Sequence, residues 1–222
     1  MFTGLVEEIG NVLSITKQGK SLKIKIGCNK VLINAKLGDS IATNGVCLTA
    51  VEIGGNYFCA DAMPETFERS NLKRLKNGDK VNLEKSITLA TPLGGHIVTG
   101  DVDCEGKILS KIINENAIIY DIEIDEKQMR YIVEKGRVTI DGASLTVVNF
   151  SDKSNSFKVS LIPHTQDSIT LGTKSAGDIV NIETDIVGKY IERFMTKGEY
   201  KSEDSSKKRV VDMQFLADNG FM

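Results

Sequence analysis

Residue pairs of different chemistry occupy matching places in two similar halves of the chain. They are Cys47 and Ser144, Glu65 and His164, Leu5 and Asp101, and Asp61 and Ser160. Thiol, hydroxyl, imidazole and carboxyl groups can move a proton or hold a polar ligand, and each half offers a different set. Two similar pockets with unequal polar groups suit an enzyme that handles two copies of one molecule in unequal roles.

The sequence lacks the usual motifs for a catalytic nucleophile, a bound nucleotide or a catalytic zinc ion, among them G-x-S-x-G, G-x-G-x-x-G and H-E-x-x-H. Its two histidines, His96 and His164, are too few for a multi-histidine metal centre. The four cysteines form no C-x-x-C pair. We therefore expect no metal site.

Four sequence blocks of the first half recur in the same order in the second, at offsets of 96 to 99 residues. Thr3–Val6 recurs as Thr99–Val102, Asn44–Val51 as Asp141–Val148, Met63–Thr66 as Ile162–Thr165, and Gly78–Glu84 as Gly177–Glu183. A constant order with slowly drifting offsets indicates a duplication. The threonines that both halves share either cap turns or donate to the same part of a ligand in each half.

Branched side chains and period-two alternation predict an all-β fold. Ile and Val number 41 against 26 for Leu and Ala, and branched residues favour strands. Segments such as Leu22–Ile26 and Tyr120–Ile124 alternate apolar and polar residues. Six short strands in each repeat bury their edges best as a small antiparallel barrel. A helix is expected after each shared proline, over Glu65–Leu75 and Thr165–Leu171.

The sequence divides into two barrels, residues 1–92 and 93–188, and a C-terminal segment, residues 189–222. Apolar residues between Ile186 and Met195 recur at helical spacing and predict an amphipathic helix. This helix either makes an oligomer contact, which we favour, or packs on its own barrel. The polar run Lys197–Arg209 is expected to be mobile, and Arg209–Met222 to form a short docking segment.

The charge balance and hydropathy argue against nucleic-acid and membrane partners. Lys and Arg number 28 against 30 for Asp and Glu, which gives a net charge of −2 rather than a positive excess. No stretch approaches the roughly 18 apolar residues of a membrane span. The N-terminus carries acids where a signal peptide would be basic and apolar. We expect a cytoplasmic protein with free thiols.

The chain from Met1 to about Met195 resembles the riboflavin synthase family of the α-chain type. The blocks that carry the resemblance are M-F-T-G-L-V-E-E, N-G-V-C-L-T, M-P-E-T, G-G-H-I-V-T-G, D-G-A-S-L-T-V, S-L-I-P-H-T and N-I-E-T-D-I-V-G-K-Y. The ending F-L-A-D-N-G-F is similar to that of bacterial members. Because several separate blocks match in order, the resemblance is specific.

The resemblance implies a dismutation of two 6,7-dimethyl-8-ribityllumazine molecules into riboflavin and 5-amino-6-ribitylaminouracil, without a metal or an organic cofactor. It implies that each half is a Greek-key barrel and that the C-terminal helix assembles a homotrimer. The active site would form between the N-terminal barrel of one subunit and the C-terminal barrel of a neighbour. An association with lumazine synthase is a further expectation from the family.

Carried over by motif, the resemblance also implies which residues bind the lumazines and which surround the reacting atoms. In the first half the binding residues are Thr3, Gly4, Leu5, Val6, Cys47, Leu48, Thr49, Asp61, Ala62, Met63, Pro64, Glu65 and Thr66. In the second half they are Gly100, Asp101, Val102, Lys135, Ser144, Leu145, Thr146, Ser160, Leu161, Ile162, Pro163, His164 and Thr165. The residues expected around the reacting atoms are Cys47, Asp101, Ser144, Thr146 and Asp185.

One departure from the family concerns Asp101, because members commonly carry histidine there. Asp101 would then act as a weaker base or a polar orienter, or another residue would serve. His96 lies five residues earlier and would face the other side of a regular strand, which favours a structural role. His164 is either a ligand contact or a solvated turn residue, and Cys47 is either a reactive thiol or a small core residue.

A binding protein that holds a lumazine or flavin as an antenna, without turnover, is the main alternative. Its two pockets would look much like those of the enzyme. Both halves of this chain keep the complete T-G, [ND]-G-x-[CS]-L-T and x-P-x-T blocks. Two complete sites favour the enzyme. A purely structural pair of barrels would leave the polar differences between the halves unexplained.

Overall fold

The computed structural model describes residues 1–18 and 21–197, and these contain two closed antiparallel barrels of six strands. The first barrel consists of β1 (Glu8–Gln18), β2 (Ser21–Gly27), β3 (Ser40–Thr43), β4 (Val46–Ile53), β5 (Tyr57–Ala62) and β6 (Lys80–Lys85). The second consists of β7 (Cys104–Asn114), β8 (Ala117–Glu123), β9 (Arg137–Ile140), β10 (Ala143–Ser151), β11 (Ser156–Leu161) and β12 (Ile179–Thr184). The predicted all-β fold of two duplicated barrels is confirmed.

The two barrels share one strand order. In the first, the neighbours run β1-β2-β5-β4-β3-β6, and the second repeats this order with each number raised by six. The pairing of β2 with β5 and of β3 with β6 is the non-consecutive pairing of a Greek key. Closure leaves no free strand edge in either barrel.

Short helices follow the strands at four places. They are α1 (Pro64–Glu68), α2 (Glu126–Met129), α3 (Pro163–Ser168) and α4 (Ile186–Lys197), and 3-10 turns cover Lys30–Leu32, Asn71–Arg74 and Thr170–Thr173. The helices after the shared prolines are therefore shorter than expected. After α1, Ser70 takes an extended conformation, and the backbone N–H of the buried Asn71 is used by the second barrel. The chain therefore continues after Ser70 as a separate 3-10 turn and does not extend α1.

Each barrel has its own apolar core. Ile24, Ile41, Phe58 and Leu83 are among the fully buried side chains of the first. In the second, the fully buried side chains include Ile108, Tyr120, Ile140, Phe157 and Ile182. Burial of one such side chain contributes about 1.5–3 kcal/mol, so two separate cores stabilise two barrels. The domain boundaries given above stay predictions.

Two hairpin turns meet back to back between the barrels. Asn44 and Gly45 join β3 to β4 with φ of 47° and 79°, and Asp141 and Gly142 join β9 to β10 with φ of 46° and 79°. Positive φ at both central residues defines the type I′ turn that Asn-Gly and Asp-Gly favour. A Cβ on Gly142 would lie 2.7 Å from the backbone nitrogen of Gly45. Glycine at both turns therefore sets how closely the barrels approach.

Buried amide side chains join the two turns. The Asn82 side chain donates to the Asp141 carbonyl at 2.9 Å, and that of Asn181 donates to the Asn44 carbonyl at 2.8 Å. The Asn71 side chain donates to the Asp141 carboxylate at 2.7 Å. A buried polar group left without its partner costs about 1–3 kcal/mol, so these bonds favour one arrangement of the barrels.

One buried acid lies within this network. Burial raises the pKa of Asp141, and the charge of Lys174 opposes that rise with its Nζ 3.6 Å from the carboxylate. The matching position of the first barrel holds the neutral Asn44. The pair of turns therefore places one carboxyl group, not two, in a site with little water.

Helix α4 begins next to the second barrel. The Asp185 carboxylate accepts a hydrogen bond from the Val187 backbone at 3.0 Å and so caps the helix. Lys189 donates to the Asp103 carboxylate at 2.7 Å, and Asp103 also accepts from Thr184. The rest of the predicted C-terminal tail, residues 198–222, lies outside the described residues. Among the residues that the structure describes, no helix is long and apolar enough to cross a membrane.

Gly142→Ala is expected to lower the free energy of unfolding by about 3 kcal/mol. A left-handed backbone costs a residue with a Cβ about 1 kcal/mol, and the collision with Gly45 adds about 2 kcal/mol. Urea unfolding followed by circular dichroism measures the loss. Gly177→Ala is the matched control, because Gly177 has φ of 94° but no atom within 4 Å of its Cβ position. Equal losses in both variants would contradict the account of the turn contact.

Candidate active site

A cavity of about 650 Å³ opens on the first barrel. It is lined by Val46, Cys47, Met63, Pro64, Glu65, Thr66, Arg69, Ser70, Gly100, Asp101 and Val102. The structure thus brings together Cys47, the Met63–Thr66 block and the Gly100–Val102 block, which the sequence analysis named as binding residues. Val46, Arg69 and Ser70 are additions that the sequence analysis did not name. We call this cavity the first pocket.

Local backbone chemistry explains how Met63–Thr66 reaches the first pocket. Strand β5 ends at Ala62, and Pro64 occupies the first turn of α1, where its missing N–H is not needed. The Phe67 N–H donates to the Met63 carbonyl at 3.0 Å and closes that turn. Glu65 and Thr66 therefore lie at the pocket. Arg69 forms a 3.0 Å ion pair with Glu65, but both side chains are largely exposed, so the pair adds little stability.

The opposite wall of the first pocket comes from the other half of the chain. The Cys47 backbone N–H donates to the Gly100 carbonyl at 2.9 Å. A Cβ on Gly100 would lie 2.7 Å from the Cys47 Cβ, so only glycine allows this approach. Two residues later, Val102 packs against the core of the first barrel. The segment Gly100–Val102 thus belongs to the second half in sequence and to the first barrel in its contacts.

At the second barrel the arrangement is reversed, because a segment from the first half of the chain contacts the second barrel. The Ser144 backbone N–H donates to the Gly4 carbonyl at 2.8 Å, and a Cβ on Gly4 would lie 2.5 Å from the Ser144 Cβ. Val6 packs against the core of the second barrel. Gly4–Val6 therefore stands beside Ser144 as Gly100–Val102 stands beside Cys47. We call the surface formed by Ser144 and Gly4–Val6 the second pocket because the repeat matches it to the first; it is defined by these contacts and not by a cavity volume.

Two buried carboxylates, Glu84 and Glu183, hold the crossing segments. Glu84 accepts from the Thr3 N–H at 2.6 Å, the Thr3 hydroxyl at 2.7 Å and the Gly4 N–H at 3.0 Å. Glu183 accepts from the Thr99 N–H at 2.7 Å, the Thr99 hydroxyl at 2.8 Å and the Gly100 N–H at 3.0 Å. Burial raises the pKa of both carboxyl groups, and these hydrogen bonds counteract the rise.

Neither glutamate was predicted from the sequence as a site residue. The signal was present, because an acid ends the duplicated G-D-x-V-N-x-E block in both halves. That block also alternates as a strand, and a strand by itself does not indicate what its last side chain binds. The contacts of Thr3 and Thr99 favour the turn-holding role of these shared threonines, since each hydroxyl donates to a carboxylate.

His96 is a second residue whose contact sequence reasoning missed. Its Nδ1 lies 2.8 Å from the Ser144 Oγ, and the side chain is buried. Burial lowers the pKa of this imidazole, while the charge of Asp185 opposes that change. Its Nε2 has no hydrogen-bond partner within the described part of the chain. His164, the other histidine, is exposed on α3.

The remaining binding residues named from the sequence fall into a buried group and an exposed group. Four side chains lie in the barrel cores, namely Leu48, Ala62, Leu145 and Leu161. Five are exposed, namely Thr49, Asp61, Lys135, Thr146 and Ser160. Alternate residues of a strand face opposite sides, so the buried four can meet a ligand only through their backbone. Asp185 caps α4 as described above.

Met63 and Ile162 hold matching exposed places ahead of α1 and α3. The second-barrel block continues with Pro163, exposed, and Thr165, half-buried. Leu5 is also exposed, next to the Gly4 contact with Ser144. In the described residues, no cluster of three or more His, Cys, Asp or Glu side chains could hold a metal ion.

Comparison with known proteins identifies the family. The model of the lumazine binding domain matches residues 3–86 and again residues 99–185. Over 221 residues that cover the whole of both chains, the sequence is 47% identical to the riboflavin synthase of Actinobacillus pleuropneumoniae and 39% identical to that of Bacillus subtilis (strain 168). It is 45% identical over 197 residues to the riboflavin synthase of Mycobacterium tuberculosis (strain ATCC 25618 / H37Rv), covering 88% of this chain and 98% of that relative.

Solved structures of the protein LumP are similar as well. LumP with riboflavin superposes with a TM-score of 0.76, and LumP with 6,7-dimethyl-8-(1'-D-ribityl) lumazine with 0.74. Each comparison has 25% sequence identity and covers 83% of this chain and 99% of LumP. The similarity therefore extends over both barrels.

The buried imidazole makes the stability of the protein sensitive to pH. Because its pKa is lower folded than unfolded, the unfolded chain takes up a proton first as the pH falls below about 6.5. The contribution of His96 to stability is therefore present above that pH and is lost below it. We expect His96→Gln to show a smaller loss of melting temperature between pH 7.5 and 5 than the wild type. His164→Gln is the control, and identical pH profiles for wild type and His96→Gln would contradict the assignment.

Proposed function

The chain belongs to the riboflavin synthase family of lumazine-binding proteins, and from this premise we propose how its two barrels act as an enzyme. Two molecules of 6,7-dimethyl-8-ribityllumazine react, and a four-carbon unit passes from one to the other. The products are riboflavin and 5-amino-6-ribitylaminouracil. Together they contain the atoms of the two substrates, so no oxidant or reductant is consumed. We class the activity as that of a transferase.

The observation that carries the proposal is the pair of repeat-related surfaces around Cys47 and Ser144, each built from both halves of the chain and each with different polar groups. The first pocket presents Cys47 and the exposed Asp101, whereas the second presents Ser144 with His96 bound to its hydroxyl. One barrel can therefore orient a lumazine while the other also assists a proton transfer. A dismutation needs this difference, because one molecule donates the four-carbon unit and the other accepts it.

The chemistry demands positioning more than a strong base. The 7-methyl protons of the lumazine are acidic, because the carbanion that forms is delocalised into the ring. A neutral imidazole can accept such a proton, and burial keeps the imidazole of His96 neutral by lowering its pKa. Holding two reactants in a productive geometry contributes up to about 7–11 kcal/mol toward the barrier. We propose that stacking of the two lumazines supplies most of the rate.

His96 is the residue that we propose as the proton acceptor, acting with Ser144. Its Nδ1 lies against the Ser144 hydroxyl, and its Nε2 is buried without a partner among the described residues, so we propose that the substrate proton reaches the imidazole through the Ser144 hydroxyl. Asp185 favours the protonated imidazole that results, since its charge raises the pKa of His96 against the effect of burial. In this proposal Asp101 orients the ligand of the first pocket, and Thr146 contacts substrate only from the exposed face of its strand.

The ribityl chain of each lumazine needs polar partners. Glu65, Thr66 and Arg69 line the first pocket and offer carboxylate, hydroxyl and guanidinium groups. We propose that the pyrimidine-dione edge of the ring meets backbone groups of the first pocket other than the Cys47 N–H, which already donates to the Gly100 carbonyl. Asp61 and Lys135 are exposed and stay proposals as further contacts.

Assembly is proposed from the family and supported by the surface of α4. Val187, Tyr190, Ile191, Phe194 and Met195 are exposed apolar side chains on this helix. We propose that they form the contact of a homotrimer, in which the first pocket of one subunit faces the second pocket of a neighbour. An association with lumazine synthase and a cytoplasmic location, which suits four free cysteines, are proposals of the same kind.

Incubation of the purified protein with 6,7-dimethyl-8-ribityllumazine alone is expected to produce riboflavin. The measurement is the growth of riboflavin fluorescence together with chromatographic quantification of one riboflavin per two lumazines consumed. Ser144→Ala is expected to lower kcat by about 100-fold, which is the usual scale for the loss of assisted proton transfer. Ser151→Ala, at the exposed far end of the same strand β10, is the matched control.

The alternative is a protein that binds a lumazine or flavin without converting it, as LumP binds these molecules in its solved structures. Tight binding of lumazine by the wild type with no riboflavin formed would contradict the enzyme and support that alternative. Equal rates for wild type and Ser144→Ala would leave the enzyme in place and contradict the role of Ser144.

A further inference from the structure

We infer that each pocket is positioned by a glutamate from the opposite barrel: Glu183 of β12 sets the Gly100–Val102 wall of the first pocket, and Glu84 of β6 sets the Gly4–Val6 wall of the second. The inference rests on the proposed function for the identity of the ligand. It assigns the two glutamates as positioning residues, since each acts through a backbone segment.

The geometry of Glu183 supports this role. Both carboxylate oxygens are used, one by the N–H and hydroxyl of Thr99 and the other by the N–H of Gly100. Charge-assisted bonds of this kind are about twice as strong as neutral ones. The first pocket wall begins at the very residue whose N–H is held. A shift of the carboxylate would therefore move the wall directly.

The far side of the same segment is held by the first barrel. The Gly100 carbonyl accepts from Cys47, and Val102 packs against the first core. Gly100 thus donates its N–H to Glu183 of the second barrel and accepts at its carbonyl from Cys47 of the first. A ligand that contacts this wall therefore meets a segment held by both barrels. Gly4 repeats the arrangement, because its N–H donates to Glu84 and its carbonyl accepts from Ser144.

Glutamine is an informative replacement because it keeps the shape of the glutamate side chain but replaces one accepting oxygen by a donating NH2 group. Its amide oxygen can accept two of the three donors, but its NH2 group would face a backbone N–H or the threonine pair. Two donors cannot bond to each other, so the segment must move. We expect Glu183→Gln to weaken ligand binding at the first pocket by about tenfold. Glu84→Gln should spare this pocket, because Phe2, beside Cys47, is held by its own backbone pair with Val98.

Protection of Cys47 from alkylation reports ligand bound at the first pocket. Cys47 lines that pocket, whereas Cys28 and Cys59 are buried. Burial raises the pKa of Cys28 and Cys104 to about 12, which keeps them as poorly reactive thiols. Full-length protein is treated with iodoacetamide at increasing riboflavin concentration, and Cys47 modification is quantified by peptide mass spectrometry. The riboflavin concentration that halves modification is compared between variants.

The expected result is a tenfold higher half-protecting concentration in Glu183→Gln and a change below about twofold in Glu84→Gln. Thr99→Val should shift it in the same direction by removing one of the three donors, and Thr99→Ser should restore it. Thr3→Val is the matched control in the other segment. Circular dichroism and the melting temperature identify folded variants, and the threonine variants decide the matter if Glu183→Gln does not fold.

An unchanged half-protecting concentration in folded Glu183→Gln and in Thr99→Val would overturn the inference. An equal shift of the half-protecting concentration in Glu84→Gln would also overturn it, because the effect would then not be specific to the glutamate that holds the wall of the first pocket. Failure of the proposed function is recognised separately. If riboflavin and 6,7-dimethyl-8-ribityllumazine do not protect Cys47 even in the wild type, the ligand pocket itself is wrong, and the inference is overturned with it.

Discussion

The contact between two glycine turns is the constraint on which the remaining structure depends. Gly45 and Gly142 touch through their backbones, and the amide side chains of Asn82 and Asn181 fix the turns against each other. Cys47 and Ser144 each follow two residues after their glycine. The distance between the two pockets is therefore set by a backbone contact that leaves no room for a side chain.

Duplication gives this chain two barrels of the same fold. The exchange of the two Thr-Gly segments joins these barrels into one unit. Each barrel contributes strands to its own pocket and lends a Thr-Gly segment to the other. Single differences between the halves then make the pockets unequal, with a thiol at Cys47 against a hydroxyl at Ser144 and a carboxyl group at Asp101 against the apolar Leu5. Because the two barrels have the same backbone fold, differences at a few polar side chains are enough to give two bound copies of one molecule different roles.

Much of the fold could be predicted from the sequence, because repeats and strand alternation are local signals. The first pocket was also accessible, since Cys47, Met63–Thr66 and Gly100–Val102 lie in duplicated blocks. Glu84 and His96 were not, because their roles depend on partners 81 and 48 residues away in sequence. The alternation of side chains along a regular strand predicted a structural role for His96. The segment before Gly100 is not a regular strand, however, because it pairs with Phe2 through a single bridge.

We propose that one chain carries two lumazine sites that exchange wall segments but differ in their polar groups. Isothermal titration calorimetry of the wild-type protein with riboflavin, which binds without being consumed when no second substrate is present, tests it most directly. We expect two sites per chain with different affinities and binding enthalpies. A stoichiometry of one riboflavin per chain at saturation, or two sites that cannot be distinguished in affinity and enthalpy, would contradict it.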